Sequence, residues 1–152
     1  MRIEEKGERR KEKMAGNINI SMTYNHLARL AREMPVETDK IVQETADALK
    51  AEMVERMEEP KSGRVYRNHV ASAPGEAPAV DSGNLSGQIQ KRKIGPSKAS
   101  VTINTDYGIA LEYGSRRKKS GRLAKRPFVR PAVKKIFPKM IEMLKDLERR
   151  VR

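Results

Sequence analysis

Residues 101–137, VTINTDYGIALEYGSRRKKSGRLAKRPFVRPAVKKIF, decide the fold of this chain because three different patterns follow one another within them. Apolar and polar residues alternate over 101–105, which is the period of a half-buried strand. Seven of the eleven residues in 116–126 are Lys or Arg, and none is acidic. Phe128 then lies between two prolines, the second of which is expected to open a helix. This succession of strand, basic loop and helix indicates an architectural segment, not a catalytic one.

Three segments separated by turns, two of which alternate apolar and polar residues, predict an antiparallel sheet. They are GQIQKRKIG at 87–95, KASVTINTD at 98–106 and GIALEYG at 108–114, and glycine-containing turns separate them. We expect these three segments to form a meander. The sequence NINISMT at 17–23 also alternates, and it predicts one more strand nearer the amino terminus.

Apolar residues at helical spacing predict three helices. A short one covers 24–34, and Pro35 is well placed at the first turn of a second helix over about 36–58. The last helix is expected from about Pro131 to the carboxyl end, with an interruption or kink at Pro138. Its apolar stripe consists of Val133, Phe137, Met140, Leu144, Leu147 and Val151. The predicted fold class is α+β, a small antiparallel sheet packed against amphipathic helices.

The chain divides into a charged arm and one domain. Residues 1–16 contain six basic and four acidic side chains and almost nothing apolar, so a disordered arm or a frayed helix is expected. Residues 17–152 are the length of a single domain. With two Phe, four Tyr and no Trp, the core depends on aliphatic residues, and stabilisation by self-assembly is expected.

Residues 60–84 predict a long loop, because they contain three prolines, three glycines and many small side chains. Loops of this length in a compact domain usually serve a function or an interface. Tyr66, Val70 and Val80 are candidate apolar anchors for a partner. Asp81, with Ser82, is expected to cap the turn before Leu85. We count Asp81 among the structural anchors, together with Phe128 and Pro131.

The net charge of +13 and the pI of about 10.2 predict an acidic partner, whether nucleic acid, an anionic surface or an acidic protein. The basic loop supplies seven of the positive charges. The chain has no cysteine, which excludes disulfides, thiolate metal sites and cysteine nucleophiles. The sequence has no secretory signal and no run of apolar residues long enough to span a bilayer, so a soluble protein with no membrane partner is expected.

Residue types that perform catalysis are poorly represented. His26 and His69 have no cysteine or histidine partners at metal-ligand spacing. Ser115 and Lys118 match Ser-x-x-Lys, but the further motifs that acyl-enzyme chemistry needs are missing from the sequence. We therefore expect no catalytic residues, no metal site and no cofactor, and we do not expect an enzyme.

Three motifs together resemble the tail-component family of long-tailed bacteriophages, also called neck or tail-completion proteins. They are ASAPGEAPAVDSGNL at 71–85, YGIALEYGS at 107–115 and RPFVRPAV at 126–133. Each motif is weak alone, and their order and spacing carry the resemblance, which extends from about residue 18 to the end. The resemblance implies a small α+β domain with an antiparallel sheet and flanking helices.

The same resemblance implies a structural virion protein without enzymatic activity. Such a subunit forms a ring, expected to be sixfold, at the junction of head and tail, and the genome passes through it. The implied partners are copies of the same chain and the neighbouring connector or stopper, tail terminator and tail tube proteins. The implied location is the virion, with assembly in the host cytoplasm.

The basic loop has three interpretations. It contacts DNA phosphates in the channel, it docks on an acidic face of an adjacent virion protein, or it is a solvated hairpin. Docking is favoured over DNA binding, because a tight ring of positive charge would retard sliding DNA, and because 116–126 contains no aromatic residue on which bases could stack. The candidate docking charges are Arg116, Arg117, Lys118, Lys119, Arg122, Lys125 and Arg126.

The alternative to a virion protein is a basic nucleic-acid-binding module. A strict monomer that retards DNA at physiological salt would favour this second class, whereas rings would favour the first.

Overall fold

The computed structural model describes residues 2–5, 17–22, 24–117 and 121–151, and for residues 2–5, 17 and 117 it describes the backbone alone. The helices in this part of the chain are α1 (Leu27–Glu33), α2 (Pro35–Glu58), α3 (Asn84–Gly87), α4 (Gly108–Tyr113) and α5 (Val129–Val151). The strands are β1 (Arg2–Glu5), β2 (Asn17–Ser21), β3 (Val65–Tyr66), β4 (His69–Val70), β5 (Ile89–Gly95), β6 (Lys98–Asn104), β7 (Ser115–Arg117) and β8 (Gly121–Leu123). The predicted class, a small α+β fold, is confirmed.

The main sheet has the order β1-β2-β6-β5, and every pairing in it is antiparallel. Ile103 lies opposite Ile18 on one side and opposite Ile89 on the other, so these three side chains share one face and are buried. The strands predicted at 17–23, 87–95 and 98–106 are therefore confirmed. Their alternation buries one face of the sheet and leaves the polar residues on the other.

Helix α2 covers the apolar face of the sheet, and α5 packs against α2. Pro35 is at the first turn of α2, as predicted. The core contains residues from both helices and from the sheet, with Leu49, Met53, Phe128 and Val133 at 0–1% exposure. Glu52 of α2 is also buried, and its carboxylate accepts a charged contact of 2.6 Å from Lys135 of α5. This contact is the first cause of the raised pKa of Lys135.

A second, smaller core lies between α1 and the carboxyl-terminal half of α5. Leu30 is fully buried there against Met140, Leu144 and Leu147. The stripe predicted for the last helix is thus largely buried, although Val151 is 39% exposed. Pro138 does not end the helix, because α5 runs through that residue as a single helix. The kink at Pro138 stays a prediction.

The third predicted strand of the meander is wrong, since residues 108–113 form helix α4. Gly108 explains part of the departure from the strand pattern. A side chain at this position would come within 2.7 Å of the Thr105 hydroxyl and 3.4 Å of Ile103, so the start of α4 packs closely on β6. The chain consequently turns away from the sheet after β6 instead of adding a strand to it.

The charged arm and the long loop are the two remaining segments for which the sequence made a prediction. Arg2–Glu5 pair with β2 as strand β1, so they are neither a frayed helix nor irregular, whereas residues 6–16 of the predicted arm lie outside the described residues. The loop at 60–84 contains the small hairpin β3–β4 but is otherwise irregular, as predicted. In the part of the chain that the structure describes, no helix has both the length and the apolar character that a membrane crossing requires.

Candidate partner interface

A groove of about 440 Å³ lies where the 71–86 segment meets α4 and β8. Its wall on one side is the small-residue loop, including Ala79 and Val80. On the other side are Tyr107 and Leu111, from the start of α4, and Leu123 of β8. We call this feature the central groove. It brings residues from all three family-like motifs to one surface.

Direct hydrogen bonds connect the segments that form the central groove. The side-chain amide of Asn84 donates to the Tyr107 hydroxyl at 3.1 Å. The backbone N–H of Arg126 donates to the carbonyl of Leu111 at 2.7 Å, and the N–H of Gly75 donates to the carbonyl of Lys125 at 2.8 Å. Backbone groups that would otherwise lack partners are thereby satisfied between segments far apart in sequence.

Arg126 is the side chain that joins the basic segment to the loop. Its Nε donates to the hydroxyl of Ser72 at 2.8 Å, and its Nε and Nη2 both lie 3.3 Å from the Ser72 carbonyl oxygen. Its Nη1 donates to the carbonyl of Ala124 at 3.3 Å. Ser72 is buried. Although Arg126 was predicted as a docking charge, its guanidinium is used inside the subunit.

Glu76 holds the beginning of the long loop together. Its carboxylate accepts hydrogen bonds from the backbone N–H of Ala73 at 2.8 Å and of Ser62 at 3.1 Å, and also from the Ser62 hydroxyl. These bonds, with the Ser62 hydroxyl first, lower the pKa of Glu76 below its ordinary value of 4.5. The loop is therefore built by its own polar contacts and needs no partner to close at this point.

Glu112 connects α4 to α5 through a buried carboxylate. Its two oxygens accept the backbone N–H groups of Phe128 at 2.8 Å, Val129 at 3.0 Å and Arg130 at 3.0 Å. These are donors that a helix leaves unpaired at its first turn, and the negative charge lies at the positive end of the helix dipole. Glu112 thus fixes where α5 begins.

Two structural anchors predicted from the sequence lie beside this cap. Phe128 is fully buried in the main core. Pro131 is half-buried inside the first turn of α5, where its missing N–H leaves no donor unpaired. Gly114, between α4 and β7, has φ +77°, and a side chain there would come within 2.9 Å of the Leu123 carbonyl oxygen. Only glycine suits this connection.

The third anchor, Asp81, does not act as predicted. Asp81 is exposed, and the residue that precedes α3 is Gly83 at φ +74°, with no side-chain cap. The Ser82 hydroxyl accepts the N–H of Asn84 at 3.4 Å, a long contact. Glycine in the left-handed region makes the turn without a carboxylate, which is why the capping pattern misled.

The candidate apolar anchors are on the surface. Tyr66 is 52% exposed, Val70 37% and Val80 39%. Val65, beside Tyr66 on β3, is 64% exposed. Tyr66 and Val70 belong to the hairpin β3–β4, and Val80 lies on the rim of the central groove. These side chains are available to a partner, as an interface would require.

Of the remaining candidate docking charges, the structure describes the side chains of three. Arg116, Arg122 and Lys125 are exposed and line one depression of about 550 Å³ beside the hairpin β7–β8. We call this depression the basic basin. Lys118 and Lys119 lie outside the described residues, as does the side chain of Arg117. The hairpin β7–β8 agrees with the interpretation of the basic loop as a solvated hairpin. The exposure of its cations is equally compatible with DNA contact and with docking on an acidic protein.

The histidines are apart from each other. His26 Nδ1 is 3.5 Å from a carboxylate oxygen of Glu148, and His69 lines the central groove. Within the described residues, no group of three or more His, Asp and Glu side chains is arranged to hold a metal ion.

Sequence reasoning missed the two polar contacts that organise this region. Nothing in the local pattern distinguishes Glu112 from an exposed glutamate, or Arg126 from its basic neighbours. A signal for the first was available in hindsight, since a helix beginning near Pro131 needs an acceptor for its first N–H groups and the local sequence offers no Ser, Thr, Asp or Asn there.

Comparisons with family models, with curated proteins and with solved structures found no match for this chain.

Proposed function

We propose that this chain is a structural subunit of a tailed-bacteriophage virion, which forms a ring at the junction of head and tail. In this role it connects the head connector to the tail tube and lets DNA pass. It acts without catalysis or a cofactor, it contacts the connector or stopper and the tail terminator or tube proteins, and it assembles in the host cytoplasm.

One observation carries this proposal: the three family-like motifs, separated in sequence, line one groove and are bonded to one another. The Asn84–Tyr107 and Arg126–Ser72 contacts join the first motif to the second and third. The Arg126–Leu111 contact joins the third motif to the second. Because the three motifs form one connected surface, a single partner can contact all of them at once.

The surface around this groove suits repeated contact between identical subunits. Exposed apolar residues lie on a short hairpin that projects from the long loop, and Val80 lies on the groove rim. A contact between two different patches of the same subunit repeats from copy to copy, and it closes a ring when the rotation per subunit allows. Exposed apolar side chains then become the buried centre of the interface.

The proposal is tested by the mass and shape of the purified full-length chain. Light scattering after size exclusion, across a concentration series, should give one defined oligomer, and negative-stain images of that species should show rings with a central opening. A matched variant, Tyr66→Ser with Val70→Ser, should fold normally and shift the equilibrium toward monomer. A chain that stays monomeric at every concentration would contradict the proposal.

The second candidate function is a basic nucleic-acid-binding module, which is favoured by the exposed cations of the basic basin. Electrophoretic retardation of duplex and single-stranded DNA at about 150 mM salt separates the two functions. Binding that persists at this salt in a monomeric chain supports the module, because phosphate contacts weaken steeply with salt.

A further inference from the structure

The basic basin concentrates positive charge that the subunit does not neutralise. Within the described residues, no carboxylate lies within 4.0 Å of the charged atoms of Arg116, Arg122 or Lys125. Moreover, Arg116 and Arg122 are directly opposite each other across the strands β7 and β8. Like charges in this position destabilise a strand pair. An anionic group in the basin would remove that repulsion.

Tyr113 makes the basin more favourable for an anion. Its ring lines the basin, and the guanidinium carbon of Arg130 lies 4.9 Å from the centre of that ring. Arg130 is therefore a further cation held against a residue of the basin wall, although it does not itself line the basin. The basin is a concave surface rather than a row of separate side chains on a helix, so one carboxylate could contact several cations at once.

The complementary charge lies at the end of α2. Glu58 and Glu59 are exposed, and in the described part of the chain neither forms an ion pair. Glu58 is the last residue of a helix of 24 residues, and Glu59 follows it. Negative side chains are unfavourable at this end, where the helix dipole is also negative. Two sites of opposite sign are thus each destabilised in the isolated subunit.

The acidic and basic sites both adjoin the central groove, because each lies beside a depression that shares lining residues with it. Glu58 and Glu59 line a depression that shares Ala79 and Val80 with the central groove. The central groove in turn shares Leu123 with the basic basin. The acidic and the basic sites are therefore two different patches of one subunit. The acidic patch of one copy can meet the basic patch of the next, and the same contact can repeat from copy to copy.

We propose that the basic basin receives the acidic end of α2, Glu58 and Glu59, from a neighbouring copy of this chain. This inference rests on the proposed ring and names the contact that builds it. The contact joins two different patches, so it is the head-to-tail kind that can repeat around a closed ring. It also assigns the basic loop to protein docking instead of to DNA.

Charge reversal tests the contact. The first variant carries Arg116→Glu and Arg122→Glu, the second carries Glu58→Lys and Glu59→Lys, and the third carries all four changes. Each single-site variant places like charges against each other, so its association should weaken by at least about tenfold. The third variant restores opposite charges and should recover the mass of the wild-type oligomer. An equimolar mixture of the first two should also assemble, with the two chains alternating.

Several controls make the outcome unambiguous. Circular dichroism melts establish that each variant folds, and Glu142→Lys with Lys139→Glu reverses charge on the exposed face of α5 without touching either site. Wild-type assembly should weaken as salt rises from about 50 to 500 mM, since exposed charges are screened. A mixture whose mass stops at two chains would indicate a closed pair and overturn the head-to-tail contact.

The remaining outcomes separate the inference from the function that it rests on. If wild-type rings form and the single-site variants form them equally well, the inference fails and the proposed function stands. A monomeric wild-type chain contradicts both. If the Arg116→Glu, Arg122→Glu variant keeps its rings but loses DNA retardation at physiological salt, the basin binds nucleic acid and the inference is overturned.

Discussion

Arginine occurs in both parts of the basic segment 116–126, the first half on the hairpin (116–123) and the second half beyond it (124–126), but in opposite situations in the fold. In the first half, Arg116 and Arg122 are exposed on a hairpin and face each other across it. In the second half, Arg126 donates hydrogen bonds to Ser72 and Ala124, and its own N–H bonds to Leu111. A cation therefore becomes structural when a distant segment supplies buried hydrogen-bond acceptors. The composition of the basic segment does not indicate where those acceptors lie.

The largest loss of stability is expected at the start of α5, directly after the second half, when its buried acceptor Glu112 is removed. Glu112→Ala leaves three N–H groups at the start of α5 without a partner in a buried place. Because hydrogen bonds to a charged group each contribute about 1.5–3 kcal/mol, we expect a loss of at least about 4 kcal/mol in the free energy of unfolding. Urea denaturation measures it. Glu142→Ala, on the exposed side of α5, is the control and should change stability by less than about 0.5 kcal/mol.

Phe128 tests whether the residues that directly follow the basic segment belong to the core. Phe128→Ala should lower the free energy of unfolding by about 3 kcal/mol, because the ring is fully buried and its removal leaves a cavity. Tyr66→Ala, which truncates an aromatic ring that is 52% exposed, should change the melting temperature of the isolated subunit little. Equal melting temperatures for wild type and Phe128→Ala would mean that the ring faces a partner or solvent.

One arginine from each half can be replaced to compare what the two contribute to the free energy of unfolding. Arg126→Ala should lower the free energy of unfolding by about 1–2 kcal/mol, because the hydroxyl and carbonyl of Ser72 lose their donors. Arg126→Lys should recover only part of this, since an ammonium cannot reproduce the planar fork. Arg122→Ala removes the repulsion with Arg116 and should leave stability unchanged or slightly higher. A loss as large as that of Arg126→Ala would contradict the distinction between the halves.

Acid should weaken the loop that Arg126 contacts. The pKa of Glu76 is lowered in the folded chain, so its contribution to stability is complete above the ordinary value of 4.5 and is lost as the pH falls through the folded value. The stability difference between wild type and Glu76→Gln should therefore shrink between about pH 6 and pH 3. The protection factors for amide exchange at Ser62 and Ala73, the two backbone donors, should fall over the same range once the intrinsic exchange rate at each pH is divided out. A constant difference would show that the carboxylate is not held in this way.

The smallest effect on stability is expected from the first half of the segment. Replacing Arg116, Arg117, Lys118 and Lys119 with Ser should change the free energy of unfolding by less than about 0.5 kcal/mol, as surface substitutions usually do. The same variant should block the joining of heads to tails, measured by complementation of a phage that lacks the gene. Normal joining would remove these residues from the proposed mechanism.

The long elements of this fold could be predicted from sequence because their periods repeat many times. Helices α2 and α5, of 24 and 23 residues, each present an apolar stripe that repeats over at least about four turns, and strand β6 alternates over its seven residues. Pro35 marked the start of α2 for a local reason that needs no tertiary context. The α+β class follows from these elements alone.

Helix α4 could not be predicted in the same way. Over its six residues, Ile109, Leu111 and Tyr113 satisfy a period of two as well as they satisfy a short helix. What decides between them is tertiary: the Leu111 carbonyl accepts the Arg126 N–H, and the adjacent Glu112 reaches α5. The apolar anchors on the long loop were recognised by residue type, but their exposure depended on the hairpin β3–β4, which is too short to leave a pattern.

Helix α4 also constrains how the chain can change in length. Each residue of an α-helix rotates the chain by about 100° around the helix axis. Deleting one residue of α4 before Leu111 would therefore turn both Leu111 and Glu112 away from their present directions. The groove would lose part of its wall, and α5 would lose its cap, in one event. Residues 118–120, between β7 and β8, follow both Leu111 and Glu112 in the sequence, so a change of length there leaves the register of α4 unaltered. Insertions should therefore be tolerated between β7 and β8 and rejected within α4, although both segments belong to the same motif-rich stretch.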